Sequence, residues 1–379
     1  MLGEEVLRTF EGKNSIVVWQ PRLEHWYRVN NVLGLISERY RHLSLAQLYR
    51  CLGASIRYYF GGGTASPQDY VICEYSGGVR VEEKREDGFV EVFIRCPKGA
   101  LRGRKRLGEW GCSWHYVEYP IKKIEDLEVM EYVLAHTRYR FNEALYEEAK
   151  VEVGNLGEIQ FYWGRSPFQK LLLEYAGVEN TFILLHDYPG RLQEYLKKAE
   201  ESEDALFAML AACPVKVLNF GENIDAHLDP PPVFENYLLP YYRRRVKELH
   251  GAGKHCHIHI DGRLRPLLRY ISDLPFDGIE GVTPFPQGDV SLEELREAVG
   301  DKIVLDGIPA LLFLPDYGIE ELEFYTEKAL ELFYPRIILG ISDELSPFGD
   351  IDRVKRVAEI VEIWNRGKAQ LGKPTGENP

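Results

Sequence analysis

The sequence predicts an α/β fold, a (β/α)8 TIM barrel with an antiparallel β insertion near its N-terminus. Three observations carry this expectation. From Gly157 onward, short apolar segments recur, each ending in polar or small residues and each followed by an amphipathic stretch, which is the pattern of parallel βαβ units. Between about Tyr70 and Tyr119 the rhythm changes to alternation broken by Gly-Gly and Asp-Gly pairs, which are hairpin signals. The run from His255 to Asp261 has a strand period, so His255, His257, His259 and Asp261 share one face while Cys256, Ile258 and Ile260 share the other.

The elements follow in order. Residues 15–22 (SIVVWQPR) read as an apolar strand ending in polar residues, and 44–52 (SLAQLYRCL) as a helix. The basic run Arg102–Arg106 lies among turn residues and reads as a solvated loop. Residues 124–149 read as one helix with its charges on the exposed side. Strands are expected at 157–164, 215–221, 256–261, 278–282, 303–307 and 337–342, separated by helices at 192–211, 234–251, 264–272, 291–299, 318–332 and 351–365. The first strand and an ill-defined one near Phe182 bring the number to about eight, the number that closes such a barrel. The expected organisation is a single domain over 1–366, its insertion spanning about 70–119, with a frayed Gly/Pro/Lys-rich tail at 367–379.

Composition narrows the function classes. A chain of 379 residues with 45% hydrophobic content can bury a full core. The net charge of −13 argues against a general nucleic-acid partner, which would need a basic face. No apolar run is long enough to span a bilayer and the N-terminus lacks a signal-peptide pattern, so no membrane partner is expected and the expected location is cytoplasmic. Cys51, Cys73, Cys96, Cys112, Cys213 and Cys256 are scattered without a C-x-x-C pair. That suits a reducing compartment and offers no thiolate cluster for zinc.

In a barrel, the C-terminal strand ends converge on one mouth, where ligands bind. Here they would bring together Trp19, Gln20 and Arg22, then Trp163 and Arg165, then Glu222, Asn223 and Asp225. The fifth strand adds His257, His259 and Asp261, and later ones Glu280, Asp306, Asp343 and Glu344. Seven of these residues are carboxylates, a concentration that raises pKa values unless a cation neutralises it, and a divalent metal would do so. His259 and Asp261 read as metal or catalytic residues, and His257, one step deeper, as a hydrogen-bonded partner in the substrate site. Glu280 and Asp343 read equally as ligands or as caps of the following helices. Arg22 and Arg165 either bind a substrate carboxylate or balance the acidic mouth. Trp19 and Trp163 read either as a stacking wall for substrate or as core filling.

Several of these segments carry a family resemblance. Pro240-Tyr-Tyr, Lys247, His250-Gly-Ala-Gly-Lys254, His259-Ile-Asp-Gly262, Phe276 to Glu280 and Asp301 to Gly307 together resemble the uroporphyrinogen decarboxylase superfamily. That superfamily has a barrel fold, includes methylcobalamin:coenzyme M methyltransferases and, more distantly, cobalamin-independent methionine synthase. The resemblance spans roughly 19–362 and is strongest from Val215 onward. In the methyltransferase branches a zinc ion is held by an H-x-C pair, a glutamate about twenty residues on and a cysteine near the last strand. Here His259 matches the histidine and Asp261 replaces the first cysteine; Glu280 follows 21 residues after His259 and Asp343 84 after it, at the second cysteine's place. The resemblance thus implies a metal set of His259, Asp261, Glu280 and Asp343, harder than a thiolate set and suited to Zn, Mn or Fe(II). The decarboxylase branch matches less well. Trp19-Gln-Pro-Arg22 keeps its tryptophan and first arginine, while residues 23–28 depart from its motif, and no histidine stands near the last strand.

The resulting expectation is a metal-dependent methyltransferase, moving a methyl group between a small-molecule donor or acceptor and a corrinoid carried on a separate protein. The bound ion would polarise the reacting heteroatom, and Glu222 or Glu344, with Arg22, would complete the catalytic set. Trp19, Trp163, Arg165, Asp225 and His257 would hold substrate. The alternatives are a lyase of the decarboxylase type, with Arg22 and Arg165 anchoring substrate carboxylates and no metal, or a non-catalytic barrel that binds a tetrapyrrole or corrinoid. Whether the β insertion is a lid or the arm of a homodimer is left open.

Overall fold

Fully buried, Val/Ile/Leu-rich segments form parallel strands because helices cover them. The computed structural model describes residues 2–59, 67–108 and 113–371, and it builds a seven-stranded parallel sheet from such segments. The strands are β1 (Val18–Trp19), β8 (Gln160–Tyr162), β9 (Val217–Ile224), β10 (His255–Ile260), β11 (Gly278–Glu280), β12 (Ile303–Pro309) and β13 (Ile337–Ser342). Their spatial order is β1-β13-β12-β11-β10-β9-β8. Every residue of β12 and β13 is buried. Between β1 and β8 lies the segment 54–58, where the Ser55 N–H donates to the Trp19 carbonyl at 2.8 Å and Tyr58 bridges Gln160 in parallel. The eighth strand expected near Phe182 is instead part of the helix Val178–Asp187.

One end of this curved sheet is plugged. The helix Leu2–Phe10 buries Val6 and Phe10 against Val18, Val217, Ile303, Leu305 and Ile338, which lie toward the strand starts. Each such side chain contributes on the order of 1.5–3 kcal/mol when removed from water. A second, larger core fills the layer between sheet and helices. Local capping agrees with the sequence: Ser291 and Glu294 exchange side-chain and backbone hydrogen bonds at 2.8 and 3.2 Å at the start of Leu292–Val299. The helix Ile351–Leu371 continues five residues into the segment expected to be a frayed tail, whose remainder lies outside the described residues.

The antiparallel insertion is larger than expected. β2 (Val71–Tyr75) pairs with β7 (Thr137–Phe141), while β3 (Arg80–Glu86), β4 (Phe89–Cys96), β5 (Gly99–Leu107) and β6 (Trp114–Glu118) form a four-stranded meander. The Asp87-Gly88 turn between β3 and β4 has positive φ at both residues, 40° and 77°, with Glu86 opposite Phe89, the two-residue hairpin that Asp-Gly favours. Two expectations are corrected. Residues 124–149 are not one helix: Asp126–Ala135 ends, β7 follows, and Glu143–Val153 begins a second helix, because Thr-Arg-Tyr-Arg-Phe alternates and pairs with β2. Arg102–Arg106 lies on strand β5, with Arg102 and Arg104 on Glu91 and Lys105 on Glu83. The five described cysteines are unpaired, and Cys112 lies outside the described residues. Among the described residues no helix is long and apolar enough to cross a membrane.

Candidate functional site

The alternation of β10 sets the site. His257 and His259 lie on the face shared with Gln160, Asn219 and Glu280, while Cys256, Ile258 and Ile260 enter the core behind the sheet. The deepest polar group there is Arg57, from the segment 54–58, a fully buried guanidinium that sequence reasoning missed. It donates to Glu280 Oε1 at 2.8 Å, to Asp306 Oδ1 at 2.7 Å and, through Nε, to Gln20 Oε1 at 3.0 Å. The other oxygen of Glu280 accepts from the Tyr58 hydroxyl at 2.8 Å and Asn219 Nδ2 at 2.6 Å, and lies 3.3 Å from His257 Nδ1. His257 Nε2 is 2.9 Å from Gln160 Oε1. Burial opposes the charge on Glu280, yet Arg57, helped by His257 and Arg22, outweighs it and holds this carboxyl well below the usual range. For Asp306 burial wins, reinforced by the nearby Glu280 charge, and its pKa rises to about 6.

Above this layer lies a second one, nearer the mouth. Arg22 donates to Asp343 Oδ1 at 2.7 Å and sits 3.6 Å from Glu280 Oε1 and 3.7 Å from Glu344 Oε2. His259 Nε2 is 3.7 Å from the same Asp343 oxygen. Burial disfavours the imidazolium, but Asp343, Glu280 and Asp261 together raise the His259 pKa above its ordinary value. Burial, with Asp343 and Glu24 nearby, lifts Glu344 to about 7 against the pull of Arg22. Asp261 takes a hydrogen bond from Asn223 Nδ2 at 3.3 Å on Oδ2, while its buried Oδ1 has no partner. Burial raises its pKa too. Arg165 donates to Asn223 at 3.1 Å and to Glu174 at 2.8 Å.

Beside this layer lies a cleft of about 770 Å³, lined by Arg165, Asn223 and Asp261 and by Trp114, His115 and Tyr116 of β6. Its volume is that of a small-molecule site. The meander therefore contributes residues of β5 and β6 to the cleft wall. Gly281 makes the close approach at β11 possible: its φ is +80°, and a Cβ there would lie 2.5 Å from His259 Cε1. Gly281→Ala is expected to cost about 1–3 kcal/mol and to displace the imidazole; thermal unfolding together with the His259 ring resonances checks both effects.

The structure brings together Arg22, His257, His259, Asp261, Glu280, Asp343 and Glu344 as the sequence implied, and separates others from them. Trp19 is stacked on Phe313 behind the sheet, with centroids 6.4 Å apart, and Trp163 is edge-on to Phe220 and Phe207 in the helical layer. Neither lines the cleft. Glu222 is behind the sheet as well, accepting from the Ser166 N–H at 2.9 Å next to Tyr242. Asp225 lines the cleft, but its oxygens accept from the backbone N–H groups of His227 at 2.7 Å and Arg263 at 3.0 Å, so it pins loops. The four residues expected to hold a metal do not form a coordination sphere. Glu280 has given both oxygens to Arg57, Tyr58 and Asn219, and Asp343 is held by Arg22. Among the described residues no group of three or more His, Cys, Asp or Glu side chains is placed to hold a metal ion. Two guanidiniums stand where the cation was expected.

Comparison with known proteins agrees with this architecture. A methyltransferase from Methanosarcina mazei superposes with a TM-score of 0.61 at 13% identity, over 95% of this chain and 98% of that one. A B12-independent methionine synthase from Shewanella sp. W3-18-1, in complex with selenomethionine, gives 0.40 at 13% identity over 89% and 91%. No curated protein sequence matches the chain. The first likeness establishes a shared fold. The family model described as Uroporphyrinogen decarboxylase (URO-D) matches residues 167–364, just over half of the sequence, from the helix after β8 through most of the last helix. The chain belongs to the uroporphyrinogen decarboxylase family.

Proposed function

We propose that the protein is a methyltransferase that removes a methyl group from a heteroatom of a small molecule held in the cleft under the β6 meander. The observation that carries this reading is the placement of His259. It lies two residues before Asp261 of the cleft wall and 3.7 Å from Asp343, with its pKa raised, which favours the imidazolium. When the methyl group leaves, the bonding pair stays on the heteroatom, and His259 supplies the proton that neutralises it. Arg22 holds Asp343 and lies beside Glu344, whose carboxyl burial lifts to about 7. Family membership supports the methyl acceptor being a corrinoid on a separate protein. Arg22 and Arg57 offset part of the mouth's carboxylate charge, and no step of this scheme is routed through a metal ion. In the same spirit we infer that 54–58 acts as the missing strand and closes the ring.

A carboxylate-anchoring lyase is less well supported, since Arg22 and Arg165 are each already committed to carboxylates of the protein. Incubation with cob(I)alamin and a panel of methylated amines, thiols and phenyl ethers tests the proposal. Formation of methylcobalamin, followed by its absorption spectrum, is the expected result. Release of CO₂ from carboxylated compounds with no methyl transfer from any donor would replace it with the lyase reading.

A further inference from the structure

Alternation along β12 sends Asp306 to the wrong face. Ile303 and Leu305 lie in the core plugged by the helix Leu2–Phe10, whereas Val304 lies in the layer between sheet and helices. Asp306 pairs in register with Leu339, which also belongs to that outer layer, so a period of two directs its side chain outward. Its carboxylate is nevertheless inside, on Arg57. The backbone makes the difference: Asp306 has a φ of 94°, in the left-handed region that favours glycine. Among the described residues Asp87 is the other non-glycine with positive φ, and it sits in a hairpin turn, whereas Asp306 lies within a strand that is buried throughout. Gly340 leaves the inverted side chain its room, since a Cβ there would lie 2.4 Å from Asp306 Oδ1. Backbone held in such a region persists only where its surroundings over-determine it, and such residues cluster at functional sites.

The inverted carboxylate accepts three hydrogen bonds. Arg57 supplies two, at 2.7 Å to Oδ1 and 3.2 Å to Oδ2, and the Gly281 N–H supplies the third, at 3.0 Å to Oδ2. The Gly281 carbonyl accepts from Thr283 Oγ1 at 3.1 Å, so the chain is held on both sides of this glycine. Gly281 in turn abuts the imidazole of His259: a Cβ on it would lie 2.5 Å from Cε1 and 2.7 Å from Nδ1. The ion pair with Arg57 does not require the third bond, which reaches past the guanidinium to the neighbouring strand end. We propose that Asp306 is a positioning residue for His259, holding the Gly281 N–H so that the glycine backs the imidazole and keeps Nε2 turned toward Asp343, 3.7 Å away. The proposal rests on the reading of His259 as the proton donor, and it extends that reading to a residue two contacts from the reacting atoms.

The test uses the full-length protein with isotope-labelled histidine and glycine, as wild type and as Asp306→Asn. Asparagine tolerates positive φ better than most residues and has nearly the shape of aspartate, but its one acceptor oxygen cannot serve both the Arg57 fork and the Gly281 amide. In the wild type, the Gly281 α-protons should show a nuclear Overhauser contact with the His259 Hε1 proton and a ring-current shift. Both should weaken in the variant, and kcat for methyl transfer should fall by about 10²-fold with KM unchanged. Should the asparagine variant fail to fold, Asp306→Gly, which relieves the backbone strain while removing the carboxylate, should lose the same contact. A folded variant that keeps the contact and the shift while only its Tm drops would overturn the proposal and leave Asp306 as an ion-pair partner of Arg57; so would a wild type without the contact. The NMR readout needs no methyl donor. A wild type inert toward every donor would therefore overturn the proton-donor reading, and the contact would still decide whether Asp306 sets the ring.

Discussion

Replacing Arg57 with leucine should lower Tm by on the order of 10 °C, following from the roughly 3–5 kcal/mol lost when one member of a buried ion-pair network is removed. The reason lies in what remains. Glu280 and Asp306 are both fully buried, and Arg57 bridges them at 2.8 and 2.7 Å. Without it two carboxylates face each other in a medium that cannot solvate them, and Gln20 Oε1 loses its donor. The pH dependence has a definite sign. Glu280 has a depressed folded pKa, so its contribution is present above the ordinary glutamate value of about 4.3 and is lost as pH falls through the folded value. The gap between wild type and Arg57→Leu should therefore be widest near neutrality and narrow in acid. Arg57→Lys should fall between them, since an ammonium cannot present the planar fork that spans both carboxylates. Chemical denaturation at pH 7 and in stronger acid, at about pH 3 or below, measures the difference.

The second large effect concerns chemistry rather than stability. His259→Gln should reduce methyl transfer by about 10²–10⁴-fold, the range for losing a positioned general acid, while leaving the fold intact, because the strand β10 and its core face are untouched. In the wild type the rate should fall as pH rises past the His259 pKa, since only the imidazolium donates. Asp343→Asn removes the nearest charge that favours that imidazolium and should move this basic limb to lower pH. Rate–pH profiles of the two variants, with Tm measured alongside, separate a lost proton donor from a damaged fold.

Much of this site could be read from sequence because a strand's period of two is unforgiving. One stretch of alternating histidines placed His257 and His259 on the polar face, and the later strand ends gave Glu280, Asp343 and Glu344. The same rule explains the errors. The strand expected to end at Gly221 runs on to Ile224 as β9, so alternation continues, Asn223 faces the cleft and Glu222 turns into the helical layer. Trp19 is likewise out of phase with Gln20. Arg57 carried almost no local signal. It is a lone arginine among apolar residues, and its partners Glu280 and Asp306 lie 223 and 249 positions away. Without Arg57 placed beside them, the mouth looked like carboxylates in need of a metal. β7 was hidden for a different reason: five residues between two helices are too few to register as a break in helical periodicity.

The central claim is that guanidiniums balance this mouth and leave His259 free to carry a proton. An NMR titration of the His259 ring, with Asp343→Asn as the comparison, tests it most directly. The account predicts a midpoint above 6.5 that drops in the variant, with the ring still titrating when one equivalent of Zn²⁺ is present. A midpoint at or below 6.5 that ignores the Asp343 substitution, or a ring whose titration is abolished by stoichiometric Zn²⁺, would contradict it.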